Sequence, residues 1–217
     1  MISSAHPIAS KIGLDILKIG GNAFDAAIAV HFALSVVYPN AGNIGGGGFL
    51  VYRLNNGDIG TLDFREKAPE KSYRDMYIDS IEGELKVDDK RSKIGHLASG
   101  VPGSVDGMVK IYDKFSTVDW KTLLEPSIKV AREGFGVTEK QAKGLNNVEK
   151  SLVSANDHPI PFIKEDPWKV GDILIQKNLA NTLEEIKKSK RNGFYKGAVA
   201  ELIICLLYTS PSPRDST

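Results

Sequence analysis

The chain has 217 residues, enough for one sizeable hydrophobic core or two small ones. With 28 Lys+Arg against 27 Asp+Glu, the formal charge of +1 gives no electrostatic reason to expect nucleic acid or an anionic membrane as partner. A hydrophobic content of 41% argues against disorder of the whole chain, and Cys205, the sole cysteine, rules out an internal disulfide framework and a cysteine-rich metal site.

From the N-terminus, MISSAHPIASKIG lacks the basic segment and long apolar run of a secretory signal. The protein is therefore either cytoplasmic or begins upstream of Met1. Ile8, Ile12, Ile16 and Ile19 recur at helical spacing, so residues 5–20 are expected to form an amphipathic helix stopped by Gly20-Gly21. Asn22 reads as the cap of a second helix, with Asp25 in its first turn, where a carboxylate suits the helix dipole. The run AFDAAIAVHFALSVVYP is apolar on nearly every face but too short for a membrane span, which needs about 20 apolar residues. A helix buried on most sides and ended by Pro39 is the expectation.

AGNIGGGGFLVYRL then places four consecutive glycines in front of a strand. A phosphate cradle requires a strand before the glycines and a helix after them, with Lys-Ser/Thr in the P-loop case; here the order is reversed and that pair is missing. The glycines are expected to serve close packing of a buried turn. Phe49–Leu54 and Ile59–Arg65 read as two strands of a hairpin joined through Asn55-Asn56-Gly57-Asp58. Leu62 and Phe64 then share one face, and Asp63 and Arg65 the other. SYRDMYIDSIEGELKVDDKRSK is polar, broken by Gly83, and expected as a surface excursion.

LASGVPGSVDG is a second small-residue loop, leading into a helix over residues 105–115. In residues 120–132, Leu123, Leu124, Ile128 and Ala131 predict a helix, with Pro126 placed to start its later part. Further helices are expected over 140–149, 179–188 and 197–204. The cations of 187–191 suit a solvated helix C-terminus. The end, CLLYTSPSPRDST, dissolves into Ser, Pro and Arg; it resembles translated adaptor read-through and is set apart as a non-native or disordered tail, leaving residues 1–204 as the folded segment.

The chemistry legible in single residues is sparse. Arg65, at a strand end, offers a planar fork matched to a carboxylate, or else an ordinary ion pair with Glu66 or Asp63. His6, His31, His96 and His158 have no metal-ligand spacing, and His31 falls in the buried helix as a core residue. Asp88-Asp89 near Glu84 could be paired acids, but solvated charge is the default in so polar a loop. No G-x-S-x-G elbow exists, so no nucleophile can be assigned.

Taken together, HPIASKIGLDILKIGGNAFDAAIAV, YPNAGNIGGGGFLVYR, LDFREKAPEKSYRDMY, HLASGVPGSVDGM and NGFYKGAVAELI resemble the N-terminal part of the large subunit of the γ-glutamyltranspeptidase (glutathione hydrolase) family. The resemblance implies an α+β fold: the four-layer αββα sandwich of the N-terminal-nucleophile hydrolases, present only in part as the helical layer and first sheet strands. It implies a precursor that cleaves itself into large and small subunits. The new N-terminal threonine of the small subunit attacks the γ-glutamyl amide with its own α-amino group as base. The acyl-enzyme then passes its γ-glutamyl group to water or to an amino-acid or peptide amine.

By the same resemblance, no metal or organic cofactor is needed. The partners would be glutathione, other γ-glutamyl compounds and the small subunit, with no nucleic acid. Arg65 matches the family arginine that binds the substrate α-carboxylate, and Glu66 would orient it. The catalytic threonine lies beyond residue 217, so this chain is expected to be inactive and to leave apolar surface unburied. The complete parent would work in the periplasm or outside the cell. Two other readings stay open: a cephalosporin-acylase relative, and a non-catalytic module that captures carboxylates through Arg65.

Overall fold

A computed structural model describes residues 1–81, 84–87, 91–156 and 158–209. In chain order the elements are α1 (Pro7–Lys18), α2 (Ala23–Val37), β1 (Phe49–Arg53), β2 (Ile59–Asp63), β3 (Ile78–Ile81), β4 (Glu84–Val87), α3 (Ser104–Phe115), α4 (Trp120–Glu133), β5 (Phe135–Gly136), α5 (Glu139–Ser154), β6 (Ile173–Leu174), α6 (Lys177–Ser189), α7 (Asn192–Tyr195) and α8 (Gly197–Thr209). The chain divides into two compact units, one of Met1–Asn43 with Met108–Gly193, the other of Ile44–Gly107 with Phe194–Thr217. Gly83, Asp88, Asp89 and the tail beyond Thr209 lie outside the described residues.

The first unit is helical. α1 starts two residues later than periodicity suggests, because His6 takes an extended cap conformation and Pro7, with its fixed φ, occupies the first helical position. The helix ends as expected at the double glycine: Gly20 has φ 98°, Gly21 N–H bonds Ile16 O at 3.0 Å and Gly20 N–H bonds Leu17 O at 3.2 Å. α2 opens on a capping box in which Asn22 Oδ1 accepts from Phe24 and Asp25 N–H, and Asp25 Oδ2 accepts from Asn22 N–H at 2.8 Å. Ile28, Ala29, Phe32, Ala33, Val36 and Val37 are all buried, so α2 is enclosed on most sides.

Around α2 the unit closes with α4 and α6. Leu123, Leu124, Ile128, Leu183 and Ile186 are fully buried, each burial being worth about 1.5–3 kcal/mol. Trp120 stands edge-on to Phe32 at 5.7 Å and donates its Nε1–H to Ile186 O at 3.0 Å. Pro126 does not start a new helix; it lies inside α4. A mid-helix proline costs roughly 3 kcal/mol, and the buried stripe from Trp120 to Ala131 runs through it and offsets that cost. In the basic run from Lys187, Lys188 and Arg191 are exposed as expected, while Lys187 is largely covered. Lys187 lies 2.8 Å from both Glu125 and Glu184, with its side chain 16% exposed, and Lys190 lies 2.8 Å from Asp113.

The second unit carries the sheets. β1 and β2 pair antiparallel, Phe49 opposite Asp63 and Arg53 opposite Ile59, around a turn with Gly57 at φ 93°. β2 stops at Asp63 rather than Arg65. Phe64 N–H still reaches Gly48 O at 3.0 Å, but Arg65 N–H is taken by the Asp63 carboxylate at 2.9 Å, which ends the ladder. Within the segment expected as a surface excursion, β3 and β4 form a second antiparallel hairpin, Ile78 opposite Val87 and Asp79 opposite Lys86. Its apolar alternation covers only four residues per strand, too few to stand out among the charges. α8 runs to Thr209, five residues past the helix end read from the sequence.

Candidate substrate-binding site

The segment LDFREKAP begins in the last two residues of β2 and is wrapped by two glycine loops of its own unit. Phe64 is buried while Arg65 and Glu66 are both exposed, the alternation of the strand having stopped with β2. In the first loop, a methyl group at Gly47 would lie 2.7 Å from Arg65 Cα and from Glu66 N, and one at Gly48 would lie 3.0 Å from the Phe64 ring. In the second, Gly103 is pressed against the Phe64 carbonyl, Gly107 against the Phe64 ring, and Gly100 against Glu66 Cβ. Gly46 O joins the two loops by accepting from Gly103 N–H at 2.8 Å and Ser104 N–H at 3.0 Å. Lys67 and Val101 add a reciprocal backbone pair at 3.1 and 2.8 Å.

The glycine run thus serves close approach, as its order in the sequence suggests. None of its members has positive φ. Gly47 is glycine because the Phe64–Glu66 backbone leaves no room for a Cβ, whereas a Cβ at Gly48 would be tight against the Phe64 ring. Gly45 faces open space and is glycine for no steric reason.

Arg65 itself presents its guanidinium outward. Nε lies 3.4 Å from Glu66 Oε2, Cζ lies 5.8 Å from the Phe49 ring centroid, and the side chain is 63% exposed. Of the two ion-pair partners weighed from sequence, Glu66 touches the guanidinium, whereas Asp63 holds the backbone N–H instead. A long, exposed contact such as this is worth little, at most about 1 kcal/mol, and leaves the fork free to exchange Glu66 for another carboxylate. The same face of the hairpin exposes Phe49 (64%), Val51 (73%) and Ile59 (73%).

The other sequence candidates do not gather here. His31 is half-buried in α2, edge-on to Phe32 at 5.9 Å, and burial pushes its pKa down to about 4. It belongs to the helical unit and fits a packing role. Glu84 is exposed beside Lys86 at 3.8 Å, as solvated charge. Among the described residues no helix is long and apolar enough to cross a membrane, and no cluster of three or more His, Cys, Asp or Glu could hold a metal ion. Sequence reading missed the contribution of Gly103, Gly107 and Tyr195 to this site. The small-residue pattern of 97–107 was a signal for the glycines; nothing local signals Tyr195.

A helical unit and a unit of glycine-clasped strands define the class: an α+β fold forming part of the N-terminal-nucleophile hydrolase αββα sandwich, with its helical layer and first strands. The sequence profile of the gamma-glutamyltranspeptidase family matches residues 9–209, and the chain belongs to that family. It is 43% identical over 205 residues to the glutathione hydrolase proenzyme of Escherichia coli K12, covering 94% of this chain and 35% of that protein. The chain therefore spans about a third of the length of the curated relatives it matches. The crystal structure of Helicobacter pylori gamma-glutamyltranspeptidase is similar with a TM-score of 0.88 and 45% identity, over 93% of this chain and 57% of that one. Cephalosporin acylase from Bacillus halodurans is similar at 26% identity with a TM-score of 0.78, over 93% of this chain and 38% of that one.

Proposed function

We propose that this chain is the N-terminal part of the large subunit of a γ-glutamyltranspeptidase precursor, and that Arg65 binds the α-carboxylate of the γ-glutamyl substrate in the complete enzyme. The observation that carries this reading is the exposed Arg65 fork on a backbone clasped by Gly47 and Gly103. A guanidinium on a rigid base binds a carboxylate with little loss of conformational freedom. Glu66 orients the fork in the free enzyme and gives way to substrate.

The chemistry would be completed by residues outside this chain. The threonine at the head of the small subunit attacks the γ-amide carbon, and its hydroxyl proton goes to the threonine α-amino group and on to the departing amine. The γ-glutamyl ester is then hydrolysed or passed to an amino-acid or peptide amine. The chain alone, lacking that nucleophile, would neither hydrolyse nor transfer, and its exposed Phe49, Val51 and Ile59 would favour self-association. The parent would act on glutathione and related γ-glutamyl compounds in the periplasm or outside the cell. Residues 1–204 would be the family segment and 205–217 a non-native tail, on the strength of the composition change after Ile204; genomic DNA that continues differently at codon 205 supports this, and DNA encoding the same tail overturns it.

The test is kinetic. In the enzyme expressed from its complete reading frame, Arg65→Lys should raise KM for γ-glutamyl anilide at least tenfold with a smaller change in kcat. An unchanged KM would remove Arg65 from the substrate site. Likeness to cephalosporin acylase favours a second reading within the same fold, and release of a glutaryl side chain in preference to γ-glutamyl would select it.

A further inference from the structure

We propose that Tyr195 is a positioning residue for Arg65, acting through the turn Pro102–Asp106; the inference rests on the reading of Arg65 as the carboxylate anchor. Tyr195 Oη donates to Pro102 O at 2.8 Å, from 93 residues away in sequence, and accepts from Asp106 N–H at 3.2 Å. One phenol therefore holds both ends of the turn that opens α3 and accepts from one of the N–H groups of that helix start.

The turn in turn fixes the arginine. Gly103, next to Pro102, lies against the Phe64 carbonyl so closely that a methyl group there would also stand 2.9 Å from Arg65 O. Gly103 and Ser104 N–H both bond Gly46 O, whose neighbour Gly47 also packs on Arg65 Cα. Two hydrogen-bonded glycine loops thus pack on the Phe64–Glu66 backbone, and Tyr195 pins one of them. The Arg65 side chain has a 3.4 Å contact to Glu66 and a distant ring beside it, and is 63% exposed. Its placement comes from this backbone packing more than from side-chain packing, so loosening the turn moves the fork relative to the substrate carboxylate. Sub-ångström displacement of a positioning group is enough to weaken an oriented hydrogen bond.

The test compares two substrates in the enzyme expressed from its complete reading frame: γ-glutamyl anilide and 4-aminobutyryl anilide, which keeps the amino group and lacks the α-carboxylate. Tyr195→Phe should raise KM for γ-glutamyl anilide about 3- to 10-fold, the scale of one lost hydrogen bond. Its kcat should change less than about twofold, and the specificity constant for 4-aminobutyryl anilide should hold to within about twofold. A merely structural role would lower both substrates alike, as a destabilising change in the helical unit such as Gln176→Leu should. Equal losses on both substrates, or no loss on either, would overturn the proposal.

Arg65→Ala is run beside it. Loss of carboxylate selectivity in Arg65→Ala without any in Tyr195→Phe sinks the Tyr195 inference alone; no loss in Arg65→Ala sinks the Arg65 reading itself. If Tyr195→Phe does not accumulate as folded protein, 3-fluorotyrosine at position 195 keeps the test open. Its hydroxyl ionises at lower pH and then cannot donate to Pro102 O, so the KM for γ-glutamyl anilide should rise at lower alkaline pH than in the unmodified enzyme, and a coincident profile would refute the proposal.

Discussion

Gly103 lies directly against the carbonyl oxygen of Phe64, leaving no space for a Cβ between the turn and the strand end that carries Arg65. The contact is backbone on backbone, so no side-chain rotation can relieve it. Gly103→Ala should therefore destabilise the second unit by about 2–3 kcal/mol. Gly45→Ala, with nothing within 4 Å of the added methyl group, should stay within about 0.5 kcal/mol. Urea denaturation of both variants checks the contrast; equal midpoints would mean that the turn does not pack on the strand in solution.

The end of α2 depends on two glutamine side chains. Gln176 Nε2 donates to Val36 O at 2.7 Å and Gln141 Nε2 to Val37 O at 2.6 Å, each binding a carbonyl that the helix cannot satisfy itself. Gln176 is buried, so Gln176→Leu should strand the Val36 carbonyl and cost about 1–3 kcal/mol, read as a lower unfolding midpoint. Gln141 is only part-buried, and water can replace it, so Gln141→Leu should cost less than Gln176→Leu. The reverse order would contradict the burial seen here.

His31 should give the folded state a pH dependence. Its folded pKa, lowered by burial to about 4, lies below the unfolded value of about 6.5, so the unfolded chain binds the extra proton between them. The stability tied to neutral His31 is complete above pH 6.5 and is lost as pH falls towards 4, on the order of 2–3 kcal/mol in all. Burial also lowers the pKa of His6, which adds loss of the same sign. Unfolding midpoints measured from pH 7 to 4 should fall, and His31→Gln should flatten the slope. An equal slope in wild type and variant would assign the effect elsewhere.

Lys190 caps α6 at φ 48° and ψ −128°, a conformation that favours glycine. It also places Nζ 2.8 Å from Asp113 and 4.2 Å from the Tyr112 ring centroid. The pair is half-exposed and the cation–π contact modest, together worth about 1 kcal/mol, close to the cost of the backbone. Lys190→Gly should then change stability by less than about 0.5 kcal/mol, whereas Lys190→Ala should lose about 1 kcal/mol, since it keeps the strain and drops both contacts. Thermal melts of the two variants check the ordering.

Legibility followed range. The Asn22 cap of α2, the double-glycine stop of α1 and the turn at Gly57 could all be read, because each is set by residues within a few positions of one another. Arg65 could be named as a candidate from its strand-end position, and its family role from the surrounding motif. The β3–β4 hairpin was missed because its alternation is short and its exposed Leu85 and Val87 carry no core signal. Pro126 was misplaced because local rules start helices at proline, while here burial of Leu123, Leu124 and Ile128 carries the helix through.

By itself, then, the sequence determined the longer helices, the Asn22 cap and the double-glycine stop, the order of glycine run and strand, and the family to which the motifs belong. Those depend on backbone preference and spacing, which act between near neighbours. Only the tertiary structure decided why Gly47 and Gly103 must be glycine, that Asp63 rather than pairing ends β2, and that Tyr195 reaches Pro102. Excluded volume and hydrogen bonding between residues distant in the chain set those features, and they exist only once the chain has brought the residues together.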